Sequence, residues 1–173
     1  EEEMMHHEVG AVLKENSSGK ILGFIGGRDH DESSVNHATQ TDRSVGSTMK
    51  PLITFGPAID RGIIAPDTVL LDEKFSLSQG PYSDPWEPAN YDYEEEFGLV
   101  SAKHALSNAY NLSTLRLWAD VREENPEEYF ERMNLPLPDE MNPALPLGTN
   151  NLTVQENVDA FSSFAQDGSF TEG

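Results

Sequence analysis

Apolar positions gather in three stretches of this chain, 9–25, 45–71 and 97–121, with polar, proline-punctuated segments between them. In the first, Val9–Leu13 and Lys20–Ile25 flank Glu15-Asn16-Ser17-Ser18-Gly19, a strong turn signal, and the pattern predicts a β-hairpin over about 9–26. A polar loop, Gly26 to Ser34, follows. Gly46 then opens a segment of helical character from Ser47 to roughly Arg61. Pro51 is tolerable in its first turn, but Pro57 removes a backbone donor and predicts a kink or early break near Gly56.

Residues 72–97 read as loop, rich in Pro, Ser, Asp and aromatics. Helical spacing resumes at Ala102, Ala105, Leu106 and Ala109, and a second helix is predicted from Leu112 to Val121. Asn125-Pro126-Glu127-Glu128 is a helix start with Tyr129, Phe130 and Met133 as its apolar stripe. Pro136 to Pro146 is a connector. Thr153-Val154-Gln155-Glu156 is a capping-box pattern opening a last helix to about Ala165. Strands followed by several helices indicate α+β organisation, with a helical part over about 101–165. Two strands make only a marginal sheet, so further strands are expected from outside the chain.

Charge narrows the partners. A formal net charge of −20 argues against nucleic acid, which needs a basic face to displace counterions, and equally against an anionic membrane surface. Glu1–Glu3, Glu94–Glu96 and Glu123–Glu128 read as solvated faces. With no cysteine, disulfide frameworks, thiol nucleophiles and cysteine zinc sites are excluded. His6-His7-Glu8 lacks a partner cluster at ligand spacing, and Asp29-x-Asp31 lacks the glycine and distal glutamate of a calcium loop. No metal or cofactor is expected. Both ends read as cut from a longer protein, which places any anchor or export signal outside these residues.

Ser47-Thr48-Met49-Lys50 is the stretch that carries chemistry. A serine hydroxyl is a poor nucleophile until a base takes its proton, and a lysine can serve if its amine is kept neutral. On a helix, positions i and i+3 share a face, so the amine reaches the hydroxyl. Chance alone gives about one Ser-x-x-Lys in a chain like this. Indeed Ser17-Ser18-Gly19-Lys20 also matches, but in a turn with no helix behind it. The match at Ser47 follows Gly46 and runs into Pro51-Leu52-Ile53-Thr54-Phe55, the loop-to-helix context that the chemistry needs.

Arg43-Ser44-Val45-Gly46-Ser47-Thr48-Met49-Lys50-Pro51 resembles the active-site segment of class A (bifunctional) penicillin-binding proteins. Further stretches resemble the family in order along the chain: Gly10–Leu13 with Gly19–Gly27, Asn36–Thr39, Pro88-Ala89-Asn90-Tyr91 with Gly98, and Leu147-Gly148 through Ala160–Gly168. The resemblance implies a penicillin-binding/β-lactamase-like transpeptidase fold, an antiparallel sheet with helices on its faces plus a helical subdomain. Residues 1–173 would supply only the first strands and the helical part. It implies Ser47 as nucleophile and Lys50 as general base, a role disputed in some relatives. The partners it implies are peptidoglycan stem peptides ending in D-Ala-D-Ala, with β-lactam antibiotics as inhibitors and the remaining C-terminal part of the same domain as companion. It places the protein at the extracytoplasmic face of a bacterial membrane.

Two departures qualify that picture. In the register of the family's second motif, Ser-x-Asn, the asparagine is Asn111 but the serine position holds Ala109, and a methyl cannot relay a proton. Ser107 would need a shifted loop to substitute. Asn111 can also be read as a helix cap before Leu112. The third motif, Lys-Thr/Ser-Gly, is absent, so these residues alone are expected not to turn over substrate. The alternative function is a non-catalytic or weakly catalytic relative used as a scaffold in cell-wall assembly. A β-lactamase or antibiotic sensor fits less well. Trp86 and Tyr91 are expected to anchor the long loop rather than line a cleft, and Trp118 to sit in the core.

Overall fold

Turn chemistry and apolar alternation do fold the first stretch back on itself. A computed structural model describes residues 11–18, 20–25, 43–44, 46–148 and 151–166. In chain order the elements are β1 (Ala11–Lys14), β2 (Ile21–Ile25), β3 (Arg43–Ser44), α1 (Gly56–Asp60), β4 (Val69–Asp72), β5 (Gly98–Ser101), α2 (Ala102–Ser107), α3 (Asn111–Val121), α4 (Glu127–Arg132), β6 (Asn151–Leu152) and α5 (Val154–Ser162). The α+β organisation is as predicted. Contacts divide the chain into two units, one formed by 1–45, 128–138 and 150–173, the other by 46–127 and 139–149.

In the first unit β1 and β2 pair antiparallel from Ala11↔Ile25 to Lys14↔Ile21, with the register shifting at Leu13/Lys14. The face that β1 turns to α5 carries Lys14, whose Nζ meets Asp159 Oδ1 at 2.6 Å, while Leu13 on the other face is exposed. Burying that ammonium is tolerated because the carboxylate arrives with it. Short β3 pairs antiparallel with β6. Tyr129, Phe130 and Met133, the predicted stripe of α4, are all buried.

The capping box of α5 forms as read: Thr153 Oγ1 accepts from Glu156 N at 3.1 Å, and Glu156 Oε2 accepts from Thr153 N at 2.8 Å. Replacing Thr153 by alanine strands one helix-end donor. The expected cost is about 1 kcal/mol, read as a lower chemical-denaturation midpoint in the full-length protein.

The second unit is built around α3. Leu112, Ser113, Thr114, Leu115, Leu117, Trp118 and Val121 are buried almost all round the helix, and Trp118 Nε1 donates to Asn142 O at 2.9 Å. Trp118 is thus core, as expected. The nucleophile segment differs from the prediction in kind. It begins with a 3₁₀ turn at Gly46–Thr48, continues as a π-helix over Lys50–Phe55 and becomes α-helical in α1. The break expected at Gly56 does not occur. Gly56 N still donates to Pro51 O in the π register, and the register changes at Pro57, where a donor is missing anyway.

Residues 73–97 hold no named helix or strand, in keeping with the loop reading, but the strands β4 and β5 that bracket them were not predicted; they pair antiparallel from Val69↔Ser101 to Asp72↔Gly98. Val69, Leu71 and Leu99 are exposed, so these strands put apolar side chains outward and show no alternation to read. Within the connection Leu77 and Trp86 exchange both backbone hydrogen bonds, and Trp86 stands edge-on to Phe75. Trp86 does anchor the loop. Tyr91 does not: its side chain is fully exposed, because the turn at 91–94 carries it off the surface.

Candidate active site

Ser47 lies in the 3₁₀ turn with its side chain exposed, and Lys50, one turn on, is 1% exposed. That is i, i+3 spacing put to use: Lys50 Nζ stands 3.1 Å from Ser47 Oγ. Two further groups converge on the amine. Ala109 O accepts from Nζ at 2.7 Å, and Asn111 Oδ1 accepts at 2.7 Å. Ala109 has φ of 53°, a left-handed backbone that ends α2 and aims its carbonyl at Lys50. The other end of the Asn111 amide donates to Ala89 O at 2.8 Å, which fixes which atom is oxygen and which nitrogen.

These contacts orient the amine. A neutral amine has two N–H bonds and one lone pair. Ala109 O and Asn111 Oδ1 only accept, so they take both hydrogens, and the lone pair is left facing the Ser47 hydroxyl. Burial favours that neutral form, pushing the Lys50 pKa down from its ordinary value to about 8.

The structure therefore brings Ser47, Lys50 and Asn111 together, with Ala109 supplying backbone rather than side chain. The Ser107 hydroxyl is turned back on its own helix, donating to Lys103 O at 2.8 Å within α2. Nor is Asn111 the cap of α3. It is the first helical residue, and the cap position is Tyr110, whose side chain makes no capping bond. Tyr110 instead stacks on Phe97, ring centroids 3.9 Å apart, which pins the α2–α3 connection. The serine of the second serine-lysine match, Ser17, lies in the turn after β1, and a strand rather than a helix follows Lys20. Gly148, part of a stretch that resembles the family but given no role there, also contributes. It has φ of 77°, and a Cβ placed on it would fall on the backbone of Gly46, next to the nucleophile. Among the described residues there is no cluster of metal-ligating side chains, and His6-His7-Glu8 and Asp29-x-Asp31 lie outside them.

A family model described as penicillin binding protein transpeptidase domain matches residues 9–172, and the chain belongs to that family. Its relatives are class A members. Penicillin-binding protein 1F of Bacillus subtilis is 32% identical over 167 residues, covering 95% of this chain and 22% of the relative. Penicillin-binding protein 1A of Haemophilus influenzae, in its crystal structure, superposes with a TM-score of 0.81 at 26% identity, covering 90% of this chain and 23% of the other. The PonA1 protein of Mycobacterium tuberculosis, solved with penicillin V, shares the fold at a TM-score of 0.77 and 16% identity, covering 94% and 44%. The chain thus spans about a fifth of the length of the curated relatives it matches.

Proposed function

We propose that this chain carries the nucleophile half of a serine D-Ala-D-Ala transpeptidase, working at the extracytoplasmic face of a bacterial membrane together with the remaining part of its domain. The observation that carries the reading is the Lys50 amine 3.1 Å from Ser47 Oγ and held by two acceptor-only oxygens, Ala109 O and Asn111 Oδ1, which leave its lone pair to Ser47 once the amine is neutral. Ser47 Oγ attacks the carbonyl carbon between the two D-alanines as its proton passes to Lys50 Nζ. The tetrahedral intermediate collapses, the peptide C–N bond breaks, and the departing amine of the last D-alanine takes a proton. An amine from a neighbouring stem peptide then attacks the acyl-enzyme and frees Ser47. A β-lactam enters the first step, but its amine stays tethered and the acyl-enzyme persists.

Ala109 has no hydroxyl to pass the proton on, so Lys50, 3.1 Å from Ser47 Oγ, returns it to the leaving amine itself. Asn111 spends one N–H on Ala89 and has a second to offer a substrate carbonyl.

Ala109 also favours a second reading, a relative kept as a cell-wall assembly scaffold with little or no turnover. Mass spectrometry of the full-length natural protein after incubation with benzylpenicillin separates the two. A stable adduct on the peptide that contains Ser47 supports acyl transfer. A well-folded sample that forms no adduct overturns it and leaves the scaffold.

A further inference from the structure

A helix leaves its first backbone N–H groups without partners, and the usual remedy is an oxygen-bearing side chain just before it. In α3 that position is Tyr110, which makes no capping bond. The donors are met from elsewhere in the unit. Asn90 Oδ1 accepts from Asn111 N at 2.8 Å and from Leu112 N at 3.3 Å. Asp72 Oδ1, at the end of β4, accepts from Ser113 N at 2.7 Å. The two side chains also hold each other. Asn90 Nδ2 donates to Asp72 Oδ2 at 2.6 Å and to Glu95 O at 3.1 Å, while Asp72 Oδ2 takes Phe97 N at 3.2 Å as well. Asn90 is 7% exposed and Asp72 fully buried. Both oxygens of Asp72 thus take backbone donors, so its buried carboxyl group is fully satisfied.

The arrangement grips one residue twice. Ala89 O takes the side-chain Nδ2 of Asn111, and the next residue, Asn90, takes its backbone N–H. The oxygen of the Asn111 amide, Oδ1, lies on Lys50 Nζ. We propose that Asn90, braced by Asp72, is a positioning residue that acts through Asn111 to aim the Lys50 amine at Ser47. This rests on the acyl-transfer reading above. A loosened Asn90 lets the first turn of α3 rotate, Asn111 Oδ1 leaves Nζ, and the lone pair is no longer directed.

A double-mutant cycle in the full-length natural protein tests this, with the rate constant for benzylpenicillin adduct formation at Ser47 as readout. That rate constant does not depend on how much of the sample is folded, and thermal stability is followed in parallel. Asn90→Ala is expected to slow acylation about tenfold or more. In an Asn111→Ala background the same change is expected to slow it less than about twofold further, because its target is already gone. Asn90→Ser, which keeps a polar group in the same space, is the milder companion variant and is expected to show the same coupling. Acylation within about twofold of wild type in Asn90→Ala, or losses that simply add, would make the residue structural only and overturn the proposal. A wild-type protein with no Ser47 adduct overturns the acyl-transfer reading, and this proposal with it; an adduct with additive losses overturns this proposal alone.

Discussion

Lys50→Met is expected to slow acylation of Ser47 by about a thousandfold or more, within the range a general base contributes. Methionine fills nearly the same volume in this buried position, so the segment has little reason to unfold. What it removes is the only amine within reach of Ser47 Oγ among the described residues, leaving the Ala109 and Asn111 oxygens without their shared donor. Lys50→Arg is expected to fare no better. A guanidinium stays protonated at any working pH and has no lone pair to accept the serine proton.

The same reasoning fixes the sign of the pH dependence. With the Lys50 pKa near 8, about a tenth of the amine is neutral at pH 7, and that fraction rises as pH rises through the pKa. Wild-type acylation should therefore climb between about pH 6 and 9 and level off above, while Lys50→Met should be flat over that range. Stopped-flow or quenched mass spectrometry with a chromogenic β-lactam reads both. A Lys50→Met protein that acylates within about tenfold of wild type would remove Lys50 from the role of base.

How much of this was legible in the residues differs between elements. α3, α4 and α5 fall where apolar spacing put them: α4 buries a stripe behind Asn125-Pro126 and α5 opens on a capping box, while α3 is buried almost all round and starts without a capping side chain. β4 and β5 were invisible, since Val69, Leu71 and Leu99 face outward and erase the alternation. The π-helix at Lys50–Phe55 had no signature either; Pro51 and Pro57 argue only about missing donors, not about which register absorbs them. At the site, Ser47 and Lys50 were readable from three-residue spacing, and Asn111 from its register in the resemblance. Asp72 was not, for a single acid after two leucines looks like any strand end. The Ala109 departure was visible as a missing hydroxyl, but its left-handed backbone and carbonyl on Lys50 were not, because alanine gives no warning of positive φ.

Gly148→Ala is expected to slow acylation about a hundredfold and to destabilise the protein by about 2–4 kcal/mol, through two separable effects. The first is conformational. With φ of 77°, alanine at this position pays for a left-handed backbone, about 1 kcal/mol. The second is collision, since the new Cβ would meet the N, Cα and O of Gly46, all backbone atoms that cannot rotate aside. Either Leu145–Leu147 or the turn that holds Ser47 must move, and movement of Ser47 by even an ångström spoils its approach to Lys50. The molecule contains its own control. Gly62 has φ of 70° but open space where its Cβ would go. Gly62→Ala should therefore carry the backbone penalty alone, losing about 1 kcal/mol and leaving acylation within about twofold of wild type. Denaturation midpoints and acylation rate constants for the two variants, side by side in the full-length protein, isolate the collision. If Gly148→Ala proved no worse than Gly62→Ala in either measurement, the close approach of Gly148 to Gly46 would have no part in holding the nucleophile.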